Sequence, residues 1–207
     1  DSILKSECLS CFYFEGKCVT KDIYKAFDYF LLAANKNHPK VQYNIGIFYS
    51  YSKYGNLDIN KAIKYFSLAA NQDCLGAQYE LACIYYSGEY IERNIKKAIH
   101  YFSLAAKKNH PDAEFKLGII YFNEFSVQDI NKALQYFQLA AEHNHQYAQH
   151  NVGCIYYIGQ YVTKDINKAV HYFTLAANQG NAESQFTLGN IYNTYDDIFI
   201  LNLLQSK

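Results

Sequence analysis

One ten-residue phrase recurs five times along this chain: Lys-Ala, two residues, Tyr-Phe, two residues, Ala-Ala. Its copies occupy 25–34, 61–70, 97–106, 132–141 and 168–177, so the step is 36 residues with one step of 35. A fixed period in the thirties implies stacked supersecondary units, each hiding its apolar face only against its neighbours. That moves the functional question from a pocket in a globule to a surface.

A second pattern alternates with the first: Ala-x-x-x-Leu-Gly-x-x-Tyr, clearest at Ala113, Leu117, Gly118 and Tyr121. Counted from the glycine, the origin holds Ser10, Gly46, Ala82, Gly118, Gly153 and Gly189, all small. The preceding position is always aliphatic, and the third following is tyrosine in all six copies, Tyr13, Tyr49, Tyr85, Tyr121, Tyr156 and Tyr192. Offsets of −1, 0 and +3 share one helix face. A small residue there admits a partner helix, and Ala62, Phe66, Ala69 and Ala70 of the other pattern form the matching face. The +3 tyrosines serve the period and are read as structural, their hydroxyls reaching solvent or a loop carbonyl.

Asp22, Asp58, Asn94, Asp129 and Asp165 precede each Ile-x-Lys-Ala and suit helix N-caps. Pro39 and Pro111 suit first turns, and Gly88 and Gly159 suit helix ends. The unit is therefore helix–turn–helix. The reading gives an all-α chain of about five and a half units: a leading half-repeat at 1–21, then second helices starting near 22, 58, 94, 129 and 165. The repeat region is expected to span 1–195 as one elongated body. The tail 196–207 breaks the pattern, as a degenerate capping helix or the truncated start of another unit.

These motifs resemble Sel1-like repeats, relatives of tetratricopeptide repeats, over nearly the whole chain. The resemblance implies a right-handed α–α superhelix (a solenoid) with a concave face lined by first helices. It also implies a non-catalytic scaffold that binds protein or peptide partners. Some cysteine-rich members carry paired cysteines and a β-lactamase-like activity. The matching positions here are Ala70 with Gln78 and Ala106 with Glu114, so neither property carries over.

Positions −3, +1 and +4 of the first helix form a second stripe, which in related repeats faces the groove. It offers Tyr43, Tyr79, Phe115, His150 and Phe186 at −3, and Tyr86, Phe122 and Tyr157 at +4. These eight are the candidate partner-binding residues, since rigid rings give large contact area at low entropic cost. The alternative is that the same rings pack between repeats. Tyr51, Ser87, Asn123, Lys40, Asp112 and Glu183 would supply a polar rim, or simply face solvent.

Other chemistry is not indicated. Nineteen basic and nineteen acidic residues leave no basic footprint for nucleic acid. No apolar run approaches the roughly 18 residues that span a bilayer. Cys8-x-x-Cys11 lacks a second pair, so no metal or other cofactor is expected. Cys11, Cys83 and Cys154 share one repeat position and read as reduced, small hydrophobes. His143 and His145 read as turn residues. Compartment is not fixed; reduced thiols and the lack of an Asn-x-Ser/Thr site favour the cytoplasm. A monomer or weak self-association is expected. Opening inside a repeat suggests a segment of something longer, hence a second reading as the regulatory or targeting arm of an enzyme such as a kinase.

Overall fold

In the computed structural model, described over residues 23–34, 38–51 and 57–205, ten α-helices follow in order, with no strand among the described residues. They are α1 (Ile23–Ala34), α2 (Pro39–Ser50), α3 (Ile59–Ala70), α4 (Leu75–Ser87), α5 (Ile95–Ala106), α6 (Pro111–Asn123), α7 (Ile130–Glu142), α8 (Gln146–Ile158), α9 (Ile166–Asn178) and α10 (Ala182–Gln205). The chain divides into two compact units, Asp1–Lys108 and Asn109–Lys207. Helices α1–α5 belong to the first unit and α6–α10 to the second. The expected leading half-repeat at 1–21, with Cys8, Cys11 and Cys18, and the cap residue Asp22 lie outside the described residues.

In each unit a first helix packs against the second helix that follows it: α2 with α3 and α4 with α5, then α6 with α7 and α8 with α9. The phenylalanine of each Tyr-Phe pair explains the small origin residue. Phe66, Phe102, Phe137 and Phe173 are all buried. A Cβ on Gly46, Gly118 or Gly153 would come within 2.5–2.7 Å of the facing Phe66, Phe137 or Phe173 ring. Ala82, fully buried, holds the same place in α4, so the position asks for a small residue rather than for glycine alone. Each buried phenylalanine contributes about 1.5–3 kcal/mol.

The +3 tyrosines have a separate task. Tyr49, Tyr85, Tyr121 and Tyr156 lie nearly parallel to Tyr65, Tyr101, Tyr136 and Tyr172, at 6.2, 6.0, 5.7 and 6.3 Å between ring centres. Lys61, Lys97, Lys132 and Lys168 place their ammonium groups 4.8–5.3 Å from the same four +3 rings. Both the Lys and the Tyr of the recurring phrase are thus accounted for by one cation–ring–ring stack. The backbone carbonyls of these tyrosines accept hydrogen bonds of 2.8–3.0 Å from the amides of Asp58, Asn94, Asp129 and Asp165. The hydroxyl of Tyr156 accepts from Gln138 Nε2 at 3.3 Å, a side-chain partner rather than a loop carbonyl.

Asp58, Asn94, Asp129 and Asp165 cap α3, α5, α7 and α9, accepting the backbone N–H of Lys61, Lys97, Lys132 and Lys168 at 2.9–3.0 Å. Gly88 and Gly159 end α4 and α8 in the left-handed region, at φ 66° and 71°. The turns out of the second helices use the same region at Asp73, Asn109, Asn144 and Gly180. Helix α10 runs unbroken to Gln205, so the backbone of 196–205 prolongs the helix that carries Gly189.

Candidate functional site: a lateral cavity and inter-repeat polar pairs

Two helical turns separate −3 from +4, so one helix brings both rings to a single phenylalanine of its partner. Tyr79 and Tyr86 flank Phe102 at 5.8 and 6.4 Å. Phe115 and Phe122 flank Phe137 at 5.8 and 6.4 Å. His150 and Tyr157 flank Phe173 at 5.6 and 6.3 Å. Tyr43 rests on Phe66 at 5.8 Å, and its ring lies 3.0 Å from where a Cβ on Gly76 would be. Burial pushes the Tyr43 phenol up to about 12. Phe115 is stacked beneath His145 at 4.3 Å. Tyr157 is exposed and sits under Lys164 at 5.4 Å, while Arg93 covers Tyr86 at 5.0 Å. Phe186 on α10 is 72% exposed.

Of the eight predicted residues, Phe122 alone lines a cavity of about 450 Å³ in the second unit. Its walls are Ile119, Phe122 and Asn123 of α6 facing Asn151, Cys154, Ile155 and Ile158 of α8. Phe137 forms part of its lining, with Gln160 and Tyr161 of the loop after α8. No Asp, Glu, Lys, Arg or His lines it; its polar groups include the amides of Asn123, Asn151 and Gln160. Asn123 is the one rim residue of the sequence reading found there. Asp112 and Glu183 instead meet His145 and His150, each at 3.3 Å.

A polar column at position −4 escaped the sequence reading. Gln42, Gln78, Glu114 and Gln149 are all almost wholly buried. Gln42 accepts from Gln72 Nε2 at 2.8 Å, and Gln149 from Gln179 Nε2 at 2.7 Å. The Glu114 carboxylate accepts from His143 Nδ1 at 2.7 Å, which fixes the hydrogen on that nitrogen. The repeat that holds Gln78 has Lys108 at the donor position. That ammonium reaches the Asp73 carbonyl at 2.6 Å and its carboxylate at 3.1 Å, and Gln78 Oε1 stays buried without a partner. The signal was present as Gln or Glu at a fixed offset in successive units.

His145 caps α8 through Nδ1, which accepts the Ala148 N–H at 3.1 Å. Burial lowers its pKa, against the opposing pull of Asp112. His150 is likewise lowered by burial, with Glu183 pulling upward. Its Nδ1 meets Ser184 Oγ at 2.8 Å, and its Nε2 meets Cys154 Sγ at 3.4 Å. Among the described residues no group of three or more His, Cys, Asp or Glu is placed to hold a metal ion. No described helix is long and apolar enough to cross a membrane.

Known proteins give the architecture a family. The Sel1 repeat profile matches 9–38, 39–74, 76–110, 111–145 and 146–181. A protective antigen of uropathogenic Escherichia coli with an SLR fold superposes with a TM-score of 0.87 at 27% identity, over 91% of this chain and 41% of its own. The chain therefore spans well under half of that protein. A Sel1 repeat protein from Oxalobacter formigenes gives a TM-score of 0.81 at 30% identity, over 92% of this chain and 78% of its own. No curated protein is a significant match. Five consecutive profile matches, on helix pairs whose recurring residues each have a packing role, establish that the chain belongs to the Sel1 repeat family.

Proposed function

We propose that this chain is a docking scaffold whose second unit holds a segment of another protein in the cavity between α6 and α8. Sel1 repeats generally mediate protein–protein interaction, and the family is a non-catalytic scaffold family. The observation that carries the finer reading is the cavity itself. It is open, mainly apolar, free of ionised side chains, and provided with amides from both helices. Such a lining suits an uncharged extended segment, one apolar side chain entering while Asn123 and Asn151 bond its backbone. Tyr157 and Phe186 are exposed on the same unit but do not line the cavity, whereas Tyr43, Tyr79, Tyr86 and Phe115 give one side to the core. In such a segment, micromolar affinity corresponds to about −8 kcal/mol.

The test is selection of extended peptides from a random library, followed by two substitutions. Ile158 is 64% exposed at the cavity, and Leu139 is 42% exposed on α7, outside the lining. Selected peptides should lose at least about tenfold in affinity to Ile158→Asp, a change of about 1.4 kcal/mol, and keep it with Leu139→Asp. Equal binding to wild type and Ile158→Asp overturns the assignment.

A further inference from the structure

The wall of this cavity carries a thiol with a base at hand. Cys154 shares its repeat position with Cys83, yet the residue four earlier differs: His150 before Cys154, Tyr79 before Cys83. In α8 this spacing places His150 Nε2 at 3.4 Å from Cys154 Sγ. The imidazole is held by two residues at the start of α10. Ser184 Oγ, fully buried and itself tied by its N–H to Asn181 Oδ1 at 2.8 Å, meets Nδ1 at 2.8 Å. The exposed Glu183 carboxylate stands 3.3 Å from Nε2. Phe173 backs the ring at 5.6 Å.

We infer that Cys154 is a covalent modification site, a thiol deprotonated by His150 that takes small apolar disulfides entering the α6–α8 cavity. In the tautomer that carries its hydrogen on Nδ1, bonded to Ser184 Oγ, Nε2 is the acceptor for the thiol proton, and Glu183, 3.3 Å from the same nitrogen, faces the imidazolium that results. The step balances. The Cys154 proton passes to His150, and the sulfur attacks one sulfur of the incoming disulfide. A new S–S bond forms as the old one breaks, and the second half leaves as a thiolate that takes up a proton. Cys154 is oxidised and the incoming disulfide reduced, with no further reagent. Burial raises the Cys154 thiol, and Glu183 adds to this, so the resting group is protonated and reaction waits on transfer to the neighbouring base. The lining sets the class of ligand: apolar side chains and amides, without a charge to recruit anionic disulfides. The site is independent of whether a protein segment docks in the same cavity.

The probe is 4,4′-dithiodipyridine, an uncharged aromatic disulfide, with labelling at each cysteine followed by peptide mass spectrometry. Cys83 is the internal control, and rates in concentrated guanidinium supply the baseline. In folded protein near pH 7.5 the Cys154:Cys83 rate ratio should exceed that baseline by about tenfold or more. His150→Tyr places at −3 the residue that Tyr43 and Tyr79 already supply there, so the helix pair tolerates it. It should bring Cys154 down toward the Cys83 rate while the helical signal is retained. A folded-state ratio no higher than the baseline overturns the assignment whatever the variant does. So does an unchanged Cys154 rate in folded His150→Tyr protein.

Discussion

Removing His143 should expose what the buried Glu114 requires. Glu114 is 2% exposed, and the carboxylate oxygen that meets His143 does so at 2.7 Å. Leaving a buried carboxylate without its hydrogen-bond donor costs about 1–3 kcal/mol or more. His143 is 32% exposed, so water replaces part of what is lost, and the estimate for His143→Ala is about 2 kcal/mol. For a chain of this length that lowers the melting temperature by about 4–8 °C. Glu114→Gln in the same background substitutes a neutral amide, which is cheaper to leave unmet, and should recover about 1 kcal/mol. The double variant Glu114→Gln/His143→Gln rebuilds the Gln149–Gln179 pair and should fall within about 1 kcal/mol of wild type. Urea unfolding of the full chain followed by helical circular dichroism measures all of them. A His143→Ala effect below about 0.5 kcal/mol, or no recovery on adding Glu114→Gln, refutes the reasoning.

Two further outcomes follow from the same packing. Gly118→Leu drives a side chain into the Phe137 ring and should cost about 1–3 kcal/mol or more, whereas Gly189, whose Cβ would meet nothing within 4 Å, should gain up to about 1 kcal/mol on Gly189→Ala; equal urea midpoints for the two variants contradict the seat assigned to the phenylalanine. The pKa values of His145 and His150 are lowered in the folded chain, so the unfolded chain binds more protons; their contribution is complete above the unfolded value near 6.5 and is lost as pH falls through the folded values. Unfolding midpoints should drop between pH 7.5 and 5.5, and the drop should shrink in His145→Asn/His150→Tyr protein; a flat or rising profile contradicts this.

The fold was legible because its determinants repeat in columns. Small residues at Gly46, Ala82, Gly118 and Gly153 and the phenylalanines that meet them are each one period apart, and a single pass shows both. Caps and turn glycines are local signals of the same kind. The polar pairs were not legible, because donor and acceptor lie 29 or 30 residues apart. The donor column also changes chemistry, reading Gln72, Lys108, His143 and Gln179. The eight groove candidates came from a helix wheel, which cannot say how deeply a neighbouring phenylalanine draws each ring inward, and only Phe122 of them lines the cavity. The cavity depends on Asn151, Ile155 and Ile158, which lie off that stripe, and on a loop that no periodic rule locates.

The docking claim is tested most directly by amide hydrogen exchange of the full chain with and without a selected peptide. Slowed exchange should concentrate in the part of α6 that ends at Asn123, in α8 from Asn151 to Ile158, and around Tyr161, with α7 and α9 unchanged on their outer faces. Protection confined to the second helices, or spread evenly over both units, would contradict the account.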